Sequence, residues 1–389
     1  MIDINAIRAE TPGCRHLLHF NSAGAALMPL PVYDTVRRHL EIERDFGGYE
    51  AEFRAKEQLE SFYTEFAALL KVSPDEIAFV ENATRGWDMA FYGLPLERGD
   101  RIITHASEYA SNFLAFLHLA KRRGVEIDVA PSDSFGQIDV VAMEKLVTSR
   151  TRVIAITHVP TQGGLVNPAA AVGKIARKHG LVYILDACQS VGQIELNVPA
   201  IGCHILTGTG RKYLRGPRGT GFLYVKRELA AQLDPPFIDL HAAKWTGVRD
   251  FELMPGAKRF ENWESNVAGR VGLAAAVRYA RTIGLKAIEE RVTTLADRLR
   301  GALGEIRSIN LHDQGQRKCG ITTFSKDGRD SHAIAAALRQ QSIDVSVSSV
   351  EYALLDLGAR NTGPVVRASV HYYNTEAEVE RFARALARL

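Results

Sequence analysis

Two side chains of opposite charge, Asp186 and Lys212, each follow an apolar segment of strand length. The segment before Asp186 is too apolar to lie at the surface, so this carboxylate needs a cation or strong hydrogen-bond donors nearby. Lys212 follows a glycine-rich turn, and three arginines are close to it in sequence: Arg211, Arg215 and Arg218. Positive neighbours lower the pKa of a lysine and free its amine to attack a carbonyl group. Taken alone, Asp186 fits a helix cap equally well, and the basic loop fits a solvated surface.

Together these residue types match the needs of one cofactor, pyridoxal phosphate (PLP). PLP requires a lysine for a Schiff base, a carboxylate at the pyridine nitrogen, a flat side chain beside the ring and a cup for the phosphate. Asp186 and Lys212 supply the first two. Thr84 opens a predicted helix whose N-terminus suits a phosphate, and Tyr109, at the start of the next helix, is placed to stack on the ring. The sequence therefore predicts a PLP enzyme that acts at Cα of a free amino acid.

The overall composition is that of a soluble globular protein, with 46% hydrophobic and 24% charged residues among 389. A net charge of +3 gives no reason to expect nucleic acid or a membrane as a partner. The N-terminus lacks the apolar run of a signal peptide, and no segment reaches the roughly 20 apolar residues that cross a bilayer. The scattered cysteines lack the spacing of a zinc site or a disulfide framework: Cys14, Cys188, Cys203 and Cys319. We expect a cytoplasmic protein without a metal site.

Apolar segments of strand length alternate with helical patterns over residues 76–225. The predicted strands are 77–80, 101–104, 125–130, 153–159, 181–185, 204–207 and 221–225. Asn167 and Pro168 are typical of a helix start, and Gly180 of a helix end. Such alternation predicts a mostly parallel sheet covered on both faces, which binds ligands at the carboxyl ends of its strands.

The pattern changes after about residue 255. Apolar residues recur at three- and four-residue intervals over 285–303 and predict a long amphipathic helix. Shorter predicted strands follow at 320–324, 344–348 and 365–370, and Thr375 with Glu378 forms a capping box for a last helix. We therefore expect an N-terminal segment (1–30) against the small domain and the active site, a large PLP-binding α/β domain (31–255) and a small α+β domain (256–389).

Nearly the whole chain, from HFNSAGAALMP to VRASVHYYNTEAEVERF, resembles the class V aminotransferase family. This family of fold-type-I PLP enzymes also holds the cysteine desulfurases and the isopenicillin N epimerase-like proteins. The resemblance implies a large, mostly parallel seven-stranded sheet domain. It also implies that Lys212 forms the Schiff base and shuttles the proton, that Asp186 pairs with the pyridine nitrogen and that Gln189 donates to the ring hydroxyl. The other cofactor residues that it implies are Ala83, Thr84, Thr209 and Arg211 at the phosphate, Tyr109 where desulfurases stack a histidine, and Thr161 where many relatives have asparagine.

The resemblance also implies substrate contacts and an assembly. Arg367 matches the arginine that grips the substrate carboxylate, a task suited to a bidentate guanidinium. The loop Asn262–Asn266 matches one that reaches the neighbouring subunit's active site in family dimers, so we expect a homodimer. Asn262, His158 and His241 are candidate substrate contacts, although a single histidine is more often structural.

One part of the family pattern is missing. Desulfurases carry a sulfur-accepting cysteine on a mobile loop of the small domain, and the matching segment here, 343–353, has serines and no cysteine. This disfavours persulfide-forming desulfuration and leaves amino transfer, β-elimination at a C–S bond and epimerisation at Cα, all of which start with loss of a Cα substituent. Two alternatives belong to other classes of protein. An NAD-linked protein would need a glycine fingerprint in the first turn between strand and helix, where only Gly86 is present. The other alternative is a catalytically inactive binding protein with the PLP-enzyme fold.

Overall fold

The computed structural model describes residues 2–389, and its largest feature is a seven-stranded sheet, hereafter the large sheet. In spatial order its strands are Ile77–Val80, Gly221–Val225, Ile205–Thr209, Val182–Asp186, Thr151–Thr157, Arg101–His105 and Glu126–Ala130. Only Gly221–Val225 runs antiparallel to its neighbours. All seven predicted strands and the mostly parallel arrangement are therefore confirmed, with end shifts of one to two residues.

Helices cover both faces of the large sheet and build most of the rest of the chain. In chain order they are Ile4–Ala9, Leu30–Phe46, Gly48–Arg54, Lys56–Leu70, Ala83–Tyr92, Ala110–Arg123, Val140–Lys145, Ala169–His179, Val198–Ile201, Arg227–Ala230, Val267–Ile283, Leu285–Gly304, Ser331–Arg339 and Glu376–Arg388. The helix after Pro168 ends as predicted, because Gly180 takes the left-handed conformation at φ 64°. In residues 2–389, none of these helices has the length and apolar character needed to cross a membrane.

The C-terminal region forms a four-stranded antiparallel sheet, hereafter the small sheet. Its strands, in spatial order, are Ile309–Leu311, Ile321–Lys326, Val365–Ser369 and Ser346–Ser348. The predicted long helix is confirmed as Leu285–Gly304, and the last helix begins with the predicted capping box of Thr375 and Glu378. The edge strand Ile309–Leu311 was not predicted, and neither was the exposed hairpin Ala243–Gly247 with Asp250–Leu253, which carries few of the apolar residues that mark a buried strand.

The N-terminal segment joins the small sheet region to the large sheet. Its strand Leu18–His19 pairs in parallel with Ile343–Asp344, and the Ser22 amide donates to the Ser369 carbonyl (3.3 Å). The helix Val267–Ile283, which lies beyond the predicted boundary at 255, packs against the helices Leu30–Phe46 and Lys56–Leu70. The three-part division of the chain remains a prediction.

Candidate active site

A cavity opens at the carboxyl edge of the large sheet, hereafter the cofactor cavity. All nine side chains that the sequence assigned to the cofactor line it: Ala83, Thr84, Tyr109, Thr161, Asp186, Gln189, Thr209, Arg211 and Lys212. They come together because parallel strands end side by side, with Asp186 paired to Thr157 on one neighbour and to Thr207 on the other.

Asp186 forms the floor of the cofactor cavity. It is 4% exposed, as the apolar segment before it indicates. Its Oδ1 accepts from the Cys188 amide (2.8 Å), and its Oδ2 accepts from the Asn112 side-chain amide (2.9 Å). These neutral donors stabilise the carboxylate and leave lone pairs free for a further partner.

Lys212 is 8% exposed, and burial is the largest cause of the lowering of its pKa. Asp186 and Cys188 oppose this shift, while Arg211 and Arg367 add smaller lowering effects. The sequence attributed the shift to three neighbouring arginines, and of these Arg211 contributes, while burial has the larger effect. Arg218 is exposed on the surface and does not line the cavity.

Arg215 also turns away from the cofactor cavity. It takes a left-handed backbone conformation (φ 61°) and buries its guanidinium under the N-terminal segment. There it donates to the Leu27 carbonyl (2.8 Å), the Tyr372 hydroxyl (2.9 Å) and the Thr11 hydroxyl (2.6 Å). Arg215 therefore anchors residues 11–27 and does not tune Lys212.

One end of the cavity suits a phosphate. The helix Ala83–Tyr92 points its N-terminus into the cavity and is capped by Asn82, which accepts from the Arg85 amide (2.9 Å). The adjacent Gly221 allows this approach, since a Cβ there would lie 2.8 Å from the Gly208 carbonyl oxygen and 3.1 Å from the Ala83 nitrogen. Thr84, Thr209 and Arg211 also line the cavity. The Thr209 hydroxyl donates to the Thr220 carbonyl (3.4 Å), and Arg211 Nη1 donates to the Gly24 carbonyl.

Thr161 and Gln189 also line the cavity, and Arg367, which does not line it, lies directly behind Thr161. Arg367 Nη1 donates to the Thr161 hydroxyl (2.6 Å), which also accepts from Gln189 Nε2 (2.9 Å). Arg367 Nε and Gln189 Oε1 are buried and have no partner within residues 2–389, so each retains capacity for a ligand atom. Burial lowers the pKa of Arg367 to about 10. A buried amine, a buried carboxylate, hydroxyl donors and unpaired polar atoms together fit PLP and an amino acid.

Three candidate substrate residues lie outside the cofactor cavity. His158 is buried, its ring Nδ1 has no partner in the described chain, and burial lowers its pKa to about 4. Asn262 donates to Asp239 (3.4 Å), and His241 contacts Glu261 (2.8 Å). The structure does not bring these side chains to this chain's cavity, and the role of the Asn262 loop toward a neighbouring subunit remains a prediction.

Several polar residues of the site were missed, among them Asn82 and Thr157, which line the cavity. Asn112 lines the cavity, and Glu108, directly before Tyr109, is buried beside it. Burial raises the pKa of Glu108 to about 7, an effect that the nearby Asp186 charge reinforces and that hydrogen bonds from Thr157, Asn112 and the Tyr109 amide oppose. The sequence signal was limited to an acid in the turn after the strand Arg101–His105 and an asparagine four residues later, in the helix Ala110–Arg123.

The fold and this cavity define a fold-type-I PLP-dependent enzyme. A family profile described as Aminotransferase class-V matches residues 18–382, so the chain belongs to that family, and its PLP cofactor, as predicted, follows from the membership.

A sequence relative and two solved structures are similar to the chain over nearly its full length. It is 30% identical to a probable cysteine desulfurase of Methanothermobacter thermautotrophicus, over 98% of this chain and 97% of that protein. It is 28% identical to a cysteine desulfurase of Thermococcus onnurineus solved in its apo form, with a TM-score of 0.93 over 100% of this chain and 98% of that one. The cystine C–S lyase C-DES, solved with its product cysteine persulfide, has a TM-score of 0.88 at 21% identity over 97% and 99% of the two chains, a likeness of fold alone.

Proposed function

We propose that the protein is a PLP-dependent C–S lyase that cleaves the Cβ–S bond of a free cysteine-like amino acid by β-elimination. The observation that carries the proposal is the combination of the cofactor cavity with a small-domain segment, 343–353, that has no cysteine. The desulfurase relatives support chemistry at sulfur. The missing thiol supports release of the sulfur product to solvent.

In this proposal each residue has a defined task. PLP, when bound, supplies an electron sink for the bonding pair of Cα. Asp186 holds the ring nitrogen, Lys212 provides the covalent attachment, and Gln189 and Thr161 contact the ring hydroxyl side. Ala83, Thr84, Thr209 and Arg211 bind the phosphate, and Tyr109 covers the ring.

Substrate handling falls to Arg367 and Lys212. Arg367 binds the α-carboxylate, which orients the Cα–H bond toward the Lys212 amine. With its pKa lowered by burial, Lys212 is suited to accept the Cα proton and to return a proton to the leaving sulfur. Loss of the thiol or persulfide leaves an unsaturated amino acid, which hydrolyses in water to pyruvate and ammonia.

A second candidate is a persulfide-forming desulfurase, which the names of the relatives favour. It needs a thiolate that reaches the substrate sulfur. Among the described residues, Cys188 is the cysteine that lines the cavity, and burial raises the pKa of its thiol well above the usual range. Cys203 and Cys319 are buried away from the cavity, with pKa values raised to about 12 and about 11. This thiol chemistry supports the lyase over the desulfurase.

The product distinguishes these functions. Purified protein loaded with PLP should be yellow, and with L-cysteine or L-cystine it should release pyruvate and ammonia in equal amounts together with sulfide or persulfide. Alanine in place of pyruvate would support the desulfurase. A keto acid formed only when a second keto acid is supplied would indicate amino transfer and contradict the proposal.

We further propose a homodimer in the cytoplasm. Large apolar side chains are exposed in the segment 237–263: Phe237, Leu240, Trp245, Phe251 and Trp263. Such a patch is typical of a protein interface, and it adjoins the loop Asn262–Asn266. Sedimentation should give a molecular mass of twice the 42.9 kDa of the chain, and the Trp245→Glu variant should give a lower measured mass. A wild-type monomer at micromolar concentration would contradict the dimer.

A further inference from the structure

Glu108 is a buried acid that the proposed reaction does not use. It follows the strand Arg101–His105 and is 5% exposed. Its carboxylate accepts from the Tyr109 amide (2.8 Å), the Asn112 side-chain amide (2.9 Å), the Thr104 hydroxyl (3.3 Å) and the Thr157 hydroxyl. A buried carboxylate normally has a cationic partner, and here every donor is neutral.

The titratable groups around Glu108 confirm this lack of a cation. From its own turn, His105 uses both ring nitrogens elsewhere, toward the hydroxyls of Ser107 (2.7 Å) and Ser132 (3.0 Å). The strand Thr151–Thr157 contributes only the Thr157 hydroxyl, and the helix Ala110–Arg123 contributes the uncharged Asn112. The strand Val182–Asp186 contributes the negative charge of Asp186, and each hydrogen-bond partner of Glu108 within residues 2–389 is a neutral amide or hydroxyl.

Asn112 connects the two acids. Its side-chain nitrogen lies 2.9 Å from Glu108 Oε1 and 2.9 Å from Asp186 Oδ2. An amide NH₂ group has two hydrogens, so it can donate one to each carboxylate. The orientation of Asn112, and with it the position of Asp186 Oδ2, therefore depends on Glu108.

We propose that Glu108 is a positioning residue that acts through Asn112, orienting Asp186 toward the cofactor ring nitrogen and exchanging a proton with solvent. The proposal rests on the proposed contact between Asp186 and the ring nitrogen. An ionised Glu108 adds a second negative charge behind Asp186 and favours the protonated ring. A neutral Glu108 removes that charge, so the electron demand of the cofactor depends on this one proton.

Two readouts of the PLP-loaded enzyme test the proposal, and neither is turnover. The first is the infrared band of a protonated carboxylic acid, which should disappear with a midpoint near neutral pH. The second is the absorption of the lysine-bound cofactor, which should show an inflection at the same pH. Both should vanish in Glu108→Gln, which keeps the size of the side chain, and both should persist in the matched surface variant Glu57→Gln.

A second variant, Thr157→Val, should shift the pH midpoints of both readouts in a direction that the structure defines. The Thr157 hydroxyl donates to Glu108 and lowers its pKa, so removal of the hydroxyl should move both midpoints to higher pH by about one unit. A midpoint that stays in place or moves to lower pH would overturn the assignment of the proton to Glu108.

The two readouts also separate this proposal from the proposed function. An infrared midpoint without any cofactor inflection would overturn the coupling through Asn112 while leaving the PLP chemistry intact. Identical pH titrations of the wild type and Glu108→Gln would overturn the proposal entirely. A wild-type protein that stays colourless with PLP would contradict the proposed function, and its infrared titration would still decide whether Glu108 exchanges a proton.

Discussion

The carboxyl edge of the large sheet and the segment 343–362 beside the small sheet differ in how firmly they are held. At the sheet edge, Asp186 and Lys212 are buried and supported by strands on both sides. The segment 343–362 consists of short strands and single helical turns, and Tyr352 and Leu354 are more than 60% exposed. The edge carries the residues proposed to hold the cofactor, whereas the segment lacks the cysteine expected of a desulfurase. In the proposed function, cofactor binding and reaction outcome therefore depend on separate parts of the chain.

The largest effect at the sheet edge is expected for Lys212→Ala, which tests the proposed role of this lysine. We expect this variant to lose the yellow colour and to lower kcat for sulfur release by about 10³-fold or more, because it removes both the covalent attachment and the acid–base group. Lys174→Ala, an exposed lysine, is the control and should match the wild type. Retention of colour and turnover in Lys212→Ala would transfer the role to another lysine.

Glu108, which lies at this edge of the large sheet, should make the stability of the fold depend on pH. The pKa of Glu108 is about 7 in the folded protein against an ordinary value of 4.5, so the folded state binds more protons between these values and loses stability as the pH rises through them. The Glu108→Gln variant has no carboxyl group to titrate at this position. Its free energy of unfolding relative to that of the wild type should therefore rise by up to about 3 kcal/mol from pH 4.5 to pH 8. Urea unfolding at both pH values measures the difference. Parallel pH dependences of variant and wild type would refute the pKa assignment.

Substrate binding at the edge should depend on the shape of Arg367. Arg367→Lys keeps the charge and loses the paired geometry for a carboxylate, so we expect kcat/KM to fall about 30-fold, equivalent to about 2 kcal/mol. Most of the change should appear in KM. The PLP absorption should stay as in the wild type, and loss of colour would instead place Arg367 at the cofactor.

The smallest effect is expected at Cys188. If no protein thiol accepts the sulfur, Cys188→Ser should change the rate less than about threefold and leave pyruvate as the product. Mass spectrometry of the wild type during turnover should then find no persulfide on Cys188. A persulfide on Cys188, together with an inactive Cys188→Ser variant, would show that the sheet edge itself supplies the sulfur acceptor. This outcome would favour the desulfurase.

The sequence was most informative where chain order and spatial order coincide. The seven strands are continuous apolar segments, and parallel strands end at one edge, so Asp186, Thr209 and Lys212 could be placed together in advance. Arg215 could not be placed, because its left-handed backbone turns it toward Leu27, far away in sequence. In the link from Glu108 through Asn112 to Asp186, only the four-residue spacing of the first pair is local. The contact between Asn112 and Asp186 joins residues 74 positions apart and leaves no sequence pattern. The hairpin at 243–253 is exposed and therefore lacks the apolar signal of a strand.

The pairing of Leu18–His19 with Ile343–Asp344 has a consequence for synthesis of the chain. The N-terminal residues leave the ribosome first, yet their partner strand is made only near the end of translation. Residues 23–26, which accept from Gln189 and Arg211 and donate to the Arg211 carbonyl, are tethered by that late pairing. The contacts of residues 23–26 with Gln189 and Arg211 are therefore completed last, and a nascent chain that stops before residue 343 lacks the strand that holds them in place.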